Sequence, residues 1–121
     1  MNERTTALLE RTFIFGVNVL KFLRKLPDDY IYRIPKGQLG RSSVSIGSNY
    51  EEAQGAVSKK DFTNKIGISY KEARESVYWL RVLNELYNEE KYKNEFNTYL
   101  KESKELKAIF LTIKKSSTDN K

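Results

Sequence analysis

The chain has 121 residues, the size of one domain, with 31% charged side chains and a formal net charge of +6. It contains no cysteine and no histidine. That excludes disulfides, thiolate chemistry, Ser–His–Asp or Cys–His catalysis and the usual imidazole metal ligands. No apolar run approaches the roughly 20 residues that span a bilayer, so a cytoplasmic protein with no membrane partner is expected.

Four helices are predicted, over about 5–26, 35–54, 58–87 and 89–115 of a single domain 1–121. In the first, Leu9, Phe13, Gly16, Leu20 and Leu23 recur at helical spacing, flanked by Leu8, Phe15 and Phe22. Pro27 ends it, because the residue before a proline avoids the helical region. A connector follows in which Tyr30, Ile31 and Tyr32 are expected to pack over a bundle end. Pro35 suits the first turn of helix two, where its missing N–H costs nothing. Leu39, Ser43, Ile46, Tyr50 and Ala53 form that helix's core stripe, and Gly55 is the expected left-handed terminator.

Helix three starts at a capping signature: Ser58 caps, Asp61 answers, and Val57 with Phe62 has the spacing of a hydrophobic staple. Phe62, Ile66, Ser69, Ala73, Val77, Leu80, Asn84 and Tyr87 trace one apolar face. A second stripe carries Ile68, Trp79, Val82 and Leu86 with Glu72 and Glu75 among them. Asn88 is placed to cap helix four, whose core positions are Phe96, Leu100, Ser103, Leu106, Phe110 and Ile113. The tail 116–121 lacks apolar anchors and should fray. No segment alternates with period two. The fold class is therefore all-α, an antiparallel up-down-up-down four-helix bundle.

Helix two also carries a polar seam beside its core stripe: Gln38, Arg41, Ser42, Ser45, Asn49 and Glu52 fall in one sector of a helical wheel. Small side chains let two backbones approach, and hydroxyls and amides bond across the contact. A helix–helix contact is the favoured reading, and a ligand or phosphate groove is the alternative. Lys59 and Lys60 occupy the first turn of helix three, where the macrodipole disfavours them. They are the best local hint of an anionic partner. The Trp79 stripe would be an exposed apolar patch on a solitary protomer, so it points to burial against a neighbouring helix or subunit. An enzyme built on Glu51, Glu52, Asp61, Glu72 or Glu75 is the least favoured class.

The run from Leu39 to Leu83 resembles the central signature of the four-helix-bundle family of 23S rRNA-intervening-sequence proteins. The matching positions are Arg41, Ser42, Ser45, Ile46, Asn49 and Glu52, then Ser58, Lys59, Asp61 and Phe62, then Lys71, Glu72, Ala73, Glu75, Tyr78, Trp79 and Leu80. The resemblance implies a ring-like homopentamer and a genetic link to intervening sequences in ribosomal RNA genes. A related bundle serves as an accessory factor to a retroelement reverse transcriptase and has a basic surface. No enzymatic activity is implied, and no catalytic residue carries over.

The resulting expectation is a non-enzymatic homo-oligomer without cofactor or metal that associates with nucleic acid, RNA above DNA. Lys36, Arg41, Lys59, Lys60, Lys65, Lys71 and Arg74 would meet phosphates. Ser42, Ser45, Asn49, Glu52, Ile68, Glu72, Glu75, Trp79, Val82 and Leu86 would form helix–helix or subunit contacts. The alternative is an assembly scaffold or accessory factor that binds a protein partner and no nucleic acid.

Overall fold

The computed structural model describes residues 1–119. Four long helices, α1 (Glu3–Leu23), α2 (Tyr30–Ala53), α3 (Lys59–Tyr87) and α4 (Lys93–Asp119), follow one another, with a single 3-10 turn at Glu90–Tyr92 before α4. Each helix packs on the next, α1 touches α4 more lightly, and the described residues contain no strand. The side-chain pairings run in opposite directions along each pair. On α1 and α2, Thr12 faces Gly47, Gly16 faces Val44 and Leu20 faces Gly40. On α2 and α3, Ser42 bonds Ser76 and the Ile46 carbonyl accepts from Ser69. On α3 and α4, Thr63 bonds Ser117 and Gly67 faces Lys114. This is an up-down-up-down bundle.

Side-chain caps set three of the helix starts. Asn2 accepts from the Thr5 amide, Asp29 from the Ile31 and Tyr32 amides, and Ser58 from the Asp61 amide. The Asp29 cap corrects the expected connector: α2 begins at Tyr30 and not at 35, and Pro35 lies inside it. An interior proline removes one helical hydrogen bond, but here the loss falls near a helix end whose residues Tyr30, Ile31 and Arg33 are exposed. Tyr30 and Ile31 therefore do not cover the bundle end; only Tyr32 is half-buried against the core.

Three other terminal signals resolve differently from expectation. Gly55 is not left-handed: α2 closes at Gln54, with ordinary right-handed backbone, and the Gln54 side chain donates to the Tyr50 carbonyl. Val57 is 93% exposed and staples nothing, while Asp61 accepts from the Val57 amide at 3.2 Å. Asn88 ends α3 in the left-handed conformation (φ 44°) instead of capping α4, a role its short amide side chain tolerates. The tail is helical through Asp119, tied back by the Thr63–Ser117 hydroxyl pair; residues 120–121 lie outside the described residues.

The core stripes of α2 and α4 fall where the periodicity placed them: Leu39, Ser43, Ile46, Tyr50 and Ala53 on α2, Phe96, Ser103, Leu106 and Phe110 on α4. On α1 the stripe is rotated. Thr12, Phe15, Gly16, Val19, Phe22 and Leu23 are buried, whereas Phe13 is 64% exposed and Leu20 is also exposed. The reason is close packing against α2. Gly16 sits against the Val44 and Ser43 backbone and Thr12 against Gly47, so these small residues face α2 while Phe15, Val19 and Phe22 fill the core beside them and Phe13 and Leu20 turn outward. At one end of the bundle Phe22 meets the rings of Phe96, Tyr92 and Tyr99 at 4.8–5.9 Å between centroids. Along the lighter α1–α4 seam, Arg11 grips Glu102 with two bonds of 2.7 Å and Glu105 with one of 2.9 Å.

Candidate nucleic-acid interface

The polar seam of α2 lies along its contact with α3, and its members act differently. Ser42 is fully buried, and its hydroxyl meets that of Ser76 at 2.9 Å. Together with Ser69, which donates to the Ile46 carbonyl at 2.8 Å, it joins the two helices by hydrogen bonds in a fully buried contact. Ser45 and Asn49 bond within α2: the Asn49 amide donates to the Ser45 carbonyl and hydroxyl, both at 2.9 Å. Glu52 is exposed and pairs with Lys65 of α3 at 3.2 Å.

Arg41 reaches from α2 across to two carboxylates of α3, 3.9 Å from Glu72 and 3.8 Å from Glu75, and donates to Gln38 at 2.8 Å. Glu72 is 8% exposed, and its Oε1 has no hydrogen-bond partner. Burial, and then the neighbouring Glu75 carboxylate, push the Glu72 carboxyl above its ordinary range, against the opposing pull of Arg41 and Lys71. Beside this pair lies an open cleft of about 490 Å³, lined by Gln38 and Arg41 of α2 and by Lys71, Arg74, Glu75, Tyr78 and Trp79 of α3. Trp79 is half-buried. Tyr78 is 56% exposed and stands edge-on to it, with centroids 4.9 Å apart at 82°. Of the remaining stripe residues Val82 is half-buried, while Ile68 and Leu86 are exposed. The Trp79 stripe is thus only partly covered within the protomer.

The seven candidate cations divide into two groups. Lys36 donates to the carbonyls of Leu26 and Pro27, just beyond the end of α1, Lys65 pairs with Glu52, and Arg41 is shared between carboxylates. Lys59, Lys60, Lys71 and Arg74 make no ion pair among the described residues, and all four are exposed on α3. At 100° per residue Lys60, Lys71, Arg74 and Arg81 fall within about 80° of one another, on one outward side of α3. Arg81 escaped the motif reading, although its position seven residues after Arg74 is a helical signal. A second missed cation is Lys114. It crosses from α4 to lie 5.9 Å from the Tyr70 ring centroid, with Arg74 5.8 Å from the same ring. No sequence spacing links 70 to 114; only the α3–α4 packing does.

The described residues hold no group of three or more acidic side chains placed to bind a metal ion. None of their helices is long and apolar enough to cross a membrane.

No curated protein matches the chain. Among solved structures it is similar to the crystal structure of a protein of unknown function from the S23 ribosomal protein family of Bacteroides thetaiotaomicron. That similarity is 29% in sequence, with a TM-score of 0.79, over 92% of this chain and 97% of the other. Family and fold are those of a small helical protein. Residues 4–112, nearly the whole bundle and every candidate cation named above except Lys114, match one family, and the chain belongs to it: the 23S rRNA-intervening sequence proteins.

Proposed function

We propose that this protein is a cytoplasmic, non-enzymatic homo-oligomer that associates with nucleic acid, preferentially RNA, through the outward side of α3. The observation that carries this reading is the set of exposed cations Lys60, Lys71 and Arg74 on that side, with Lys59 beside Lys60 in the first turn, none neutralised by a carboxylate among the described residues. Arg81 extends the same side. Lysines and arginines of this kind bind phosphate as charge and do not read base sequence. A net charge of +6 raises the local concentration of a polyanion further.

Assembly is supported by apolar side chains that the protomer leaves in water. Phe13 and Leu20 of α1 are exposed, and so are Ile34 and Val44 of α2. Such a surface is costly on a solitary protomer. A ring of five is the subunit number that the family resemblance suggests, and it would repeat the cationic side of α3 around an axis.

The test is a titration of structured RNA and duplex DNA at several salt concentrations. With four phosphate contacts the logarithm of affinity should fall against log salt with a slope of about −3 to −4, and Lys71→Ala should reduce that slope by about one. Absence of binding at low salt, or binding indifferent to salt, overturns the nucleic-acid reading. Native mass spectrometry tests assembly separately, and a monomer at micromolar concentration overturns it.

A further inference from the structure

The α2–α3 cleft contains more than a phosphate-binding surface needs. Lys71, Arg74 and Arg41 would suffice for phosphate, yet the same cleft presents an exposed aromatic ring and a carboxylate, Tyr78 and Glu75. A carboxylate repels phosphate. Tyr78 stands edge-on to Trp79 and stays largely open to solvent, so its ring has one aromatic neighbour and remains accessible. This is what a stacking platform for a base requires. Glu75 stands 3.8 Å from Arg41, beyond hydrogen-bond distance, which leaves its oxygens capacity for further donors.

Among the bases of RNA, guanine alone presents two adjacent donors, N1–H and N2–H, on its pairing edge. They match the two oxygens of a carboxylate. Uracil offers a single donor between two acceptors. Bases in unpaired RNA are read in this way, stacked on an aromatic ring and bonded at the pairing edge.

We infer that the cleft receives one unpaired guanine nucleotide of an RNA strand, stacked on Tyr78, with N1–H and N2–H donated to Glu75 and the flanking phosphates met by Lys71 and Arg74. The inference rests on the nucleic-acid reading above and adds a base preference to it.

Trp79 is the single tryptophan of the chain and lines the cleft, so it reports occupancy without a label. The probes are two single-stranded RNA octamers of equal charge, one all uridine and one with a single central guanosine. The guanosine octamer should quench Trp79 and bind about tenfold tighter, the discrimination of a bidentate contact. Glu75→Gln, which replaces one acceptor by a donor, should bring the two affinities close together while binding of the uridine octamer persists. Tyr78→Ala, at an exposed position that carries little packing, should abolish both the preference and the quenching. Equal affinities for the wild type, with salt-dependent binding seen by anisotropy of end-labelled octamers, overturn the base site and leave the phosphate reading standing. A guanosine preference that survives Glu75→Gln overturns the assignment to that carboxylate. Failure of both octamers to bind at low salt overturns both readings.

Discussion

Gly16 sets the distance between α1 and α2, and Gly16→Ala tests that claim. A Cβ at this position would lie 3.2 Å from the Val44 Cα and 3.3 Å from the Ser43 carbonyl oxygen. Both are backbone atoms, so no side-chain rotation relieves the clash, and the helices must separate by several tenths of an ångström. Overpacking of this kind costs about 1–3 kcal/mol. The same substitution contributes about 1 kcal/mol through helix propensity. The net expectation is a loss on the order of 1 kcal/mol, or a fall of about 4 °C in Tm. Gly37→Ala is the control. It lies in the same class of backbone, has nothing within 4 Å of the added Cβ, and should raise Tm by a similar amount, about 4 °C. Thermal unfolding of the two variants by circular dichroism at matched concentration measures the difference, about 2 kcal/mol in favour of Gly37→Ala. Equal stabilities would refute the close-approach argument.

Glu72→Gln probes the buried carboxyl. Its folded-state pKa is raised, so the native state holds its proton more tightly than the unfolded state does. Its contribution to stability is then greatest at low pH and declines as pH rises above the ordinary carboxylate value of 4.5. The variant should lose this dependence and at neutral pH equal or exceed the wild type, by on the order of 1 kcal/mol; Tm across a pH series checks it, and a wild type that gains on the variant as pH rises contradicts it. Ser42→Ala and Ser76→Ala should each cost about 1 kcal/mol, and the double variant less than their sum, because a lone buried hydroxyl is worse than none; urea denaturation of the cycle measures the coupling. Asp29→Ala removes the α2 cap for about 1 kcal/mol and should speed hydrogen exchange at the Ile31 and Tyr32 amides alone. Arg11→Met should loosen the α1–α4 seam by about 1 kcal/mol at low salt and by less at high salt, as partly exposed ion pairs do.

Helix number, order and the stripes of α2 and α4 were legible because they depend on local periodicity. Ile46, Tyr50, Leu106 and Phe110 are large, regularly spaced and buried. The Ser58 cap was legible for the same reason, since it involves atoms three residues apart. Where two local signals competed, the sequence misled. Pro35 reads as the start of α2 while the Asp29 cap goes unread, and Asn88, which reads as the start of α4, serves the end of α3. At the candidate interface the basic residues of α3 were visible as a composition. Their division into paired and unpaired was not, because Lys65 meets a carboxylate 13 residues away and Arg41 meets two more than 30 away.

By itself the sequence determined an all-helical bundle, the absence of histidine and cysteine chemistry, and an excess of positive charge. Those properties are summed over the chain or repeat along it. Tertiary structure alone decided that α1 turns Thr12 inward beside Gly16 and leaves Phe13 in water. It also decided that Arg41 lies over a buried Glu72, and that Tyr78, Trp79, Lys71 and Glu75 share one cleft with an α2 arginine. Each of these depends on how closely two helices approach and at what rotation. That is settled by packing between residues distant in the chain, which no single helix's period encodes.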